Sequence, residues 1–136
     1  MTLLQVHVVA ASAWLGVVAA ESVMELSAKD IATLKIVARF HKWIDLLFEG
    51  PLVAIVLVTG VALLAPQWQT ASPLLMVKAA AGLIAVLANG VCFGWVQARA
   101  RAEDEASVRS YTKLIAATGF AIPMGLLALA IGLYGV

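Results

Sequence analysis

Four stretches of this chain are apolar for long enough to cross a bilayer, and they constrain the fold more than any other feature. They run over residues 3–26, 43–64, 73–96 and 114–133. A hydrocarbon core takes about 20 helical residues to cross, and each stretch meets that length. Lipid offers no water to backbone N–H and C=O groups, so an open spanning segment must be helical. Four strands are too few for a membrane barrel, and no stretch alternates with a period of two. Composition agrees, with 63% hydrophobic and 12% charged residues, where a soluble domain carries about a quarter charged. The expected fold is all-α, a four-transmembrane-helix bundle forming one integral membrane domain over residues 1–136.

The same arithmetic excludes several functions. A net charge of +1 without a basic face is not that of a nucleic-acid binder. The single cysteine, Cys92, can form neither an internal disulfide nor a cysteine-based zinc motif. No basic residue precedes the first span, and its apolar run is longer than that of a signal peptide, so it is expected to be retained.

Basic residues set an orientation. Eight of the nine lie in two segments, Lys29, Lys35, Arg39 and Lys42 after span one, and Arg99, Arg101, Arg109 and Lys113 after span three. The positive-inside rule puts both segments in the cytoplasm and both termini outside, in a bacterial-type inner membrane. Trp43 and Trp95 would then mark the inner interface and Trp68 the outer one. Ser27 and Asp30 are candidate N-caps for a helical extension ahead of span two. Leu34, Val37, Ile44 and Phe48 form its apolar stripe, with Lys35, Arg39 and Lys42 on another face. One helix from residue 30 to 64 would be about 52 Å long, well beyond the core, and must tilt, protrude or kink. The register of span two against span one follows from that choice. In one register Glu49 lies with the other acids, and in the other it lies near His7.

An ionisable group inside a membrane helix costs about 2.5–3.5 kcal/mol on insertion scales, so each needs a reason. His7, Glu21 and Glu25 return to one stripe of the first helix, with Trp14 between them. His41, Asp45 and Glu49 follow at successive i, i+4 steps, Lys78, Asn89 and Cys92 share a face of span three, and Tyr111, Thr118 and Gly125 repeat at heptad spacing. Four inward-facing polar stripes are the simplest assembly. Glu49 is followed by Gly50-Pro51, and a proline there leaves the Leu47 carbonyl without its donor and bends the helix. Pro123 does the same in span four.

Carboxylates and imidazoles on facing helices are the donors of di-iron and di-manganese bundles. Glu21, Glu25, His41, Asp45 and Glu49 are therefore candidate ligands for a transition metal ion. Oxygen with imidazole favours Fe, Mn or Zn over Cu(I), although the Glu-x-x-His spacing is absent. The same acids would equally serve as a proton or cation relay in a coupled transporter, or pair with Lys35, Arg39 or Lys42 at the headgroups. A catalytically silent partner subunit, with buried charges fixing assembly, is a third reading. Asn89 is expected to make an interhelical hydrogen bond, and Gly90 and Gly94 form a GxxxG that suits a homodimer.

Span one, Val6-His7-Val8-Val9-Ala10-Ala11-Ser12-Ala13-Trp14-Leu15-Gly16, resembles the His-x(6)-Trp-x-Gly first helix of two related groups. These are the copper-resistance D domain family and the four-helix, haem-binding bacterial membrane protoporphyrinogen oxidases. Pro73-Leu74-Leu75-Met76-Val77-Lys78 is similar to their lysine-bearing third helix. The resemblance implies an inner-membrane oxidoreductase or metal-handling protein in which His7 and Lys78 contact the cofactor, haem b in the oxidases. The acidic cluster has no counterpart in that pattern.

Overall fold

The computed structural model describes residues 1–134. Thr2 opens the first helix, α1 (Leu3–Ser27), with a reciprocal cap. Its hydroxyl accepts from Gln5 N–H at 3.2 Å, and the Gln5 side chain accepts from Thr2 N–H at 2.8 Å. Asp30 caps α2 (Ile31–Ile44), accepting from Thr33 N–H at 2.9 Å. Ser27, the other expected cap, sits instead in the last turn of α1, where its hydroxyl donates to Met24 O. Ser72 caps α4 (Pro73–Arg101) and Asp104 caps α5 (Glu105–Ala117).

The second crossing is helical without a break from Ile31 to Thr70, but its winding changes twice. Between α2 and α3 (Gly50–Leu64), residues Asp45–Glu49 form a π turn. A 3₁₀ turn over Ala65–Thr70 ends the crossing. In the fourth crossing a 3₁₀ turn, Thr118–Phe120, separates α5 from α6 (Ala121–Tyr134). Both central irregularities lie just ahead of a proline, Pro51 and Pro123. Proline removes a donor from the ladder, and here the local winding takes up the defect as a wide turn at one site and a tight turn at the other. At the first, Gly50 N–H reaches back five residues to Asp45 O. A Cβ on Gly50 would lie 3.0 Å from that carbonyl, so glycine suits the position.

Four helices are thus long and apolar enough to cross a membrane, and the described residues contain no strand. The last three are longer than their apolar runs, gaining a turn or more at the end that carries the basic segments, while α1 gains a single residue there. We call this the basic end. α1 packs on α3 and α6, and α4 packs on α6, α5 and α2. A small apolar plug of Ala28, Leu34, Val37 and Val108 closes the basic end. The stripe expected on α2 is only half right. Leu34 and Val37 are buried, Ile44 is half-buried, and Phe48 is 58% exposed. The wide turn spends extra residues, so the face of Leu34 and His41 continues through Asp45 and Glu49, and Phe48 swings outward.

Candidate metal centre

α1, α2 and the π turn bring Glu21, His41, Asp45 and Glu49 to one place. One ligand atom from each lies within 4.8 Å of the others, and all four residues are buried. Without the π turn, residues at i, i+4 steps would drift about 40° around the helix at each step. The wide turn holds Glu49 in line with His41 and Asp45. π turns recur at functional sites.

Each member has a distinct environment. Glu49 Oε1 accepts from the Trp14 indole N–H at 3.0 Å and from the Asn89 amide. His41 Nε2 stands 3.7 Å from Glu21 Oε1 and 3.7 Å from Asp45 Oδ1, beyond hydrogen-bond range of both. Its other nitrogen, Nδ1, donates to Glu25 Oε1 at 2.5 Å. A carboxylate on one imidazole nitrogen fixes the tautomer and leaves the other with its lone pair, the arrangement found behind metal-bound histidines. Glu21 Oε1 and Asp45 Oδ2 are buried with no hydrogen-bond partner.

Glu25 stands one step outside the four. Arg99 holds it with both terminal nitrogens, Nη1 donating to Oε2 at 2.7 Å and Nη2 donating to Oε1. Arg99 is 1% exposed, and Nη1 also donates to Thr112 Oγ1 at 3.2 Å. The Arg99–Glu25 pair is neutral, so the guanidinium does not offset the charge of Glu21, Asp45 and Glu49. Two like charges at 4.8 Å repel by about 3 kcal/mol at an effective dielectric of ~20. Protons or a bound cation must balance them.

Four of the five expected ligands therefore converge, and the fifth orients the histidine. The acids do not pair with Lys35, Arg39 or Lys42 among the described residues: Lys35 reaches Glu103 O, Lys42 lies over the Trp43 ring, and Arg39 is exposed. Asn89 makes the interhelical bond expected of it, to Glu49. Arg99 reads in the sequence as one of the loop cations, and the structure makes it a member of the network. Its signal is the spacing Asn89, Cys92, Val96, Arg99, which carries the inward face of α4 past its apolar run. Trp14, legible only as part of the α1 stripe, turns out to be a donor to the cluster.

His7 and Lys78 lie away from the acids and line a separate cavity of about 410 Å³ among α1, α3, α4 and α6. Thr59 Oγ1 lies 2.8 Å from His7 Nδ1 and spends its own proton on Ile55 O at 2.6 Å. It is therefore placed to accept from Nδ1–H, and in the neutral tautomer with that proton His7 Nε2 is the acceptor. Trp14 lies in the wall of the cavity while its N–H serves Glu49, so it separates the two sites. Gly90 and Gly94 face outward, with nothing within 4 Å of a Cβ at either. Compared with family models, with curated proteins and with solved structures, the chain matches none.

Proposed function

We propose that the chain is a multi-pass inner-membrane protein, both termini outside, that holds a transition metal ion at Glu21, His41, Asp45 and Glu49 for redox chemistry or metal handling. The observation that carries this reading is the pair of buried, unpartnered carboxylate oxygens, Glu21 Oε1 and Asp45 Oδ2, in a cluster whose imidazole is already oriented from behind. A buried polar atom without a partner costs about 1–3 kcal/mol, more when charged, and a cation would remove that cost at both oxygens. Three carboxylates and one imidazole suit Fe, Mn or Zn. Glu25 positions His41, and Arg99 positions Glu25. A haem b, implied by the family resemblance, would instead use the cavity, with His7 Nε2 as the free ligand atom. The outward Gly90 and Gly94 would seat a second copy.

Metal analysis and an absorption spectrum of the detergent-purified protein test this. About one metal per chain is expected, falling to a tenth or less in Asp45→Asn and Glu49→Gln variants that keep their thermal stability. Sub-stoichiometric metal after supply of Fe, Mn and Zn sinks the proposal. A Soret band would move the cofactor to the cavity.

A second reading rests on the two changes of winding. Interrupted helices beside buried carboxylates are how coupled transporters line ion paths. Proton or cation flux into liposomes, abolished in Asp45→Asn and Glu49→Gln, would favour it over a resident metal.

A further inference from the structure

The cavity beside His7 and Lys78 has chemistry of its own, independent of whether the acidic cluster holds a metal. Its volume of about 410 Å³ falls in the range of small-molecule sites, which starts near ~300 Å³. Glycines on the facing helices clear the space. A Cβ on Gly60 would lie 3.2 Å from His7 Cε1, and one on Gly132 would lie 3.0 Å from Lys78 Nζ. A Cβ on Gly125 would lie 2.7 Å from Leu15 Cδ2.

The lining is apolar apart from His7, Gln67, Lys78 and the edge of Trp14, and it includes no acid. Lys78 has no ion-pair partner among the described residues. A cation on an apolar wall calls for an anion to offset its lost hydration. His7 adds an acceptor, Nε2, beside that cation. A carboxylic acid complements this pair: its proton passes to His7 Nε2, and the resulting carboxylate accepts from Lys78 with one oxygen and from His7 with the other. The remaining wall, down to Trp14, is hydrocarbon, and seven residues of helix separate His7 from Trp14, an axial rise of about 10 Å.

We propose that this cavity binds an apolar molecule ending in a carboxylate, in its simplest form a medium-chain fatty acid, with the carboxylate at Lys78 and His7 and the tail against Trp14. The test uses the full chain in phosphatidylcholine nanodiscs, with Trp43, Trp68 and Trp95 changed to Phe so that Trp14 alone fluoresces. Titration with ω-bromodecanoate is expected to quench Trp14 saturably, and ω-bromodecanamide is expected not to saturate. Lys78→Met is expected to weaken the acid's binding by about tenfold or more, the scale of one charged hydrogen bond, and Lys78→Arg to retain most of it. Quenching that does not saturate, that is equal for acid and amide, or that survives Lys78→Met overturns the proposal. The acid–amide comparison on the unsubstituted site decides the matter even where Lys78→Met fails to fold. A Soret band in the purified protein also overturns it, because a macrocycle would then fill the space.

Discussion

At Arg99 a guanidinium lies almost wholly out of contact with solvent, its two terminal nitrogens on the Glu25 carboxylate. Removing one member of such a pair leaves the other charge buried alone, at a cost of about 3–5 kcal/mol. Arg99→Leu is expected to lower stability by that amount in denaturant titrations of the detergent-solubilised protein. The double change Glu25→Leu with Arg99→Leu should recover only part of the loss, since it removes the unpaired carboxylate but leaves the buried His41 Nδ1–H without its acceptor. Wild-type stability of the single variant would mean that Glu25 finds another partner. The unequal legibility of these residues has a physical basis. Asp45 and Glu49 stand out in the sequence because a charge inside an apolar run has no solvent to explain it. Glu25 and Arg99 stand at the ends of their runs, where a charge is equally at home among headgroups. Only the three-dimensional meeting of α1 with α4 distinguishes the two cases.

Among the helices, the π turn at Asp45–Glu49 links a proline to a cluster. Pro51→Ala restores the missing donor and permits uniform winding through this region. Glu49 should then rotate away from Asp45, so the proposed metal content falls while thermal stability holds or rises. Unchanged metal content with unchanged helix winding would separate the turn from the proline. The sequence marks where the ladder lacks a donor, at Pro51 and Pro123, but not how the chain absorbs the gap. A kink, a wide turn and a tight turn all answer the same missing N–H. Packing chose a wide turn at the first site and a tight one at the second.

The caps at the basic end carry a pH signature. The Thr33 hydroxyl and N–H hold the Asp30 carboxyl below its ordinary value of 3.8, and the Ser107 hydroxyl and N–H do the same for Asp104 from 3.8. A depressed carboxyl stabilises the fold above its unfolded pKa and loses that contribution as pH falls through the folded value. The double change Asp30→Asn with Asp104→Asn keeps the acceptors but removes the titration. Wild-type thermal stability should therefore drop more steeply than the variant's below about pH 4. Parallel profiles would show that the caps do not titrate with folding.

Across the whole molecule, the proposed orientation follows from eight basic residues concentrated at one end. In a Cys92→Ser background, a cysteine at Gln69 should react with an impermeant maleimide in intact cells, and one at Glu103 only after permeabilisation. The reverse pattern would invert the topology. Span number and helical class were legible because apolar length is a one-dimensional property. The sharing of polar groups between two separate sites was not, because it depends on which faces of α1, α3 and α4 meet.

The two halves of the bundle differ in density. One is filled by the Arg99 network and an apolar plug, and the other is hollowed by a partly open cavity of about 410 Å³. Unfolding under hydrostatic pressure is driven by the elimination of internal voids. To the extent that lipid or ligand leaves that cavity unfilled, compression should therefore act unevenly on this protein, loosening the helix ends around His7, Gly60 and Gly132 while the Arg99 end stays closed. The direction in which the molecule opens is set by where its glycines leave space.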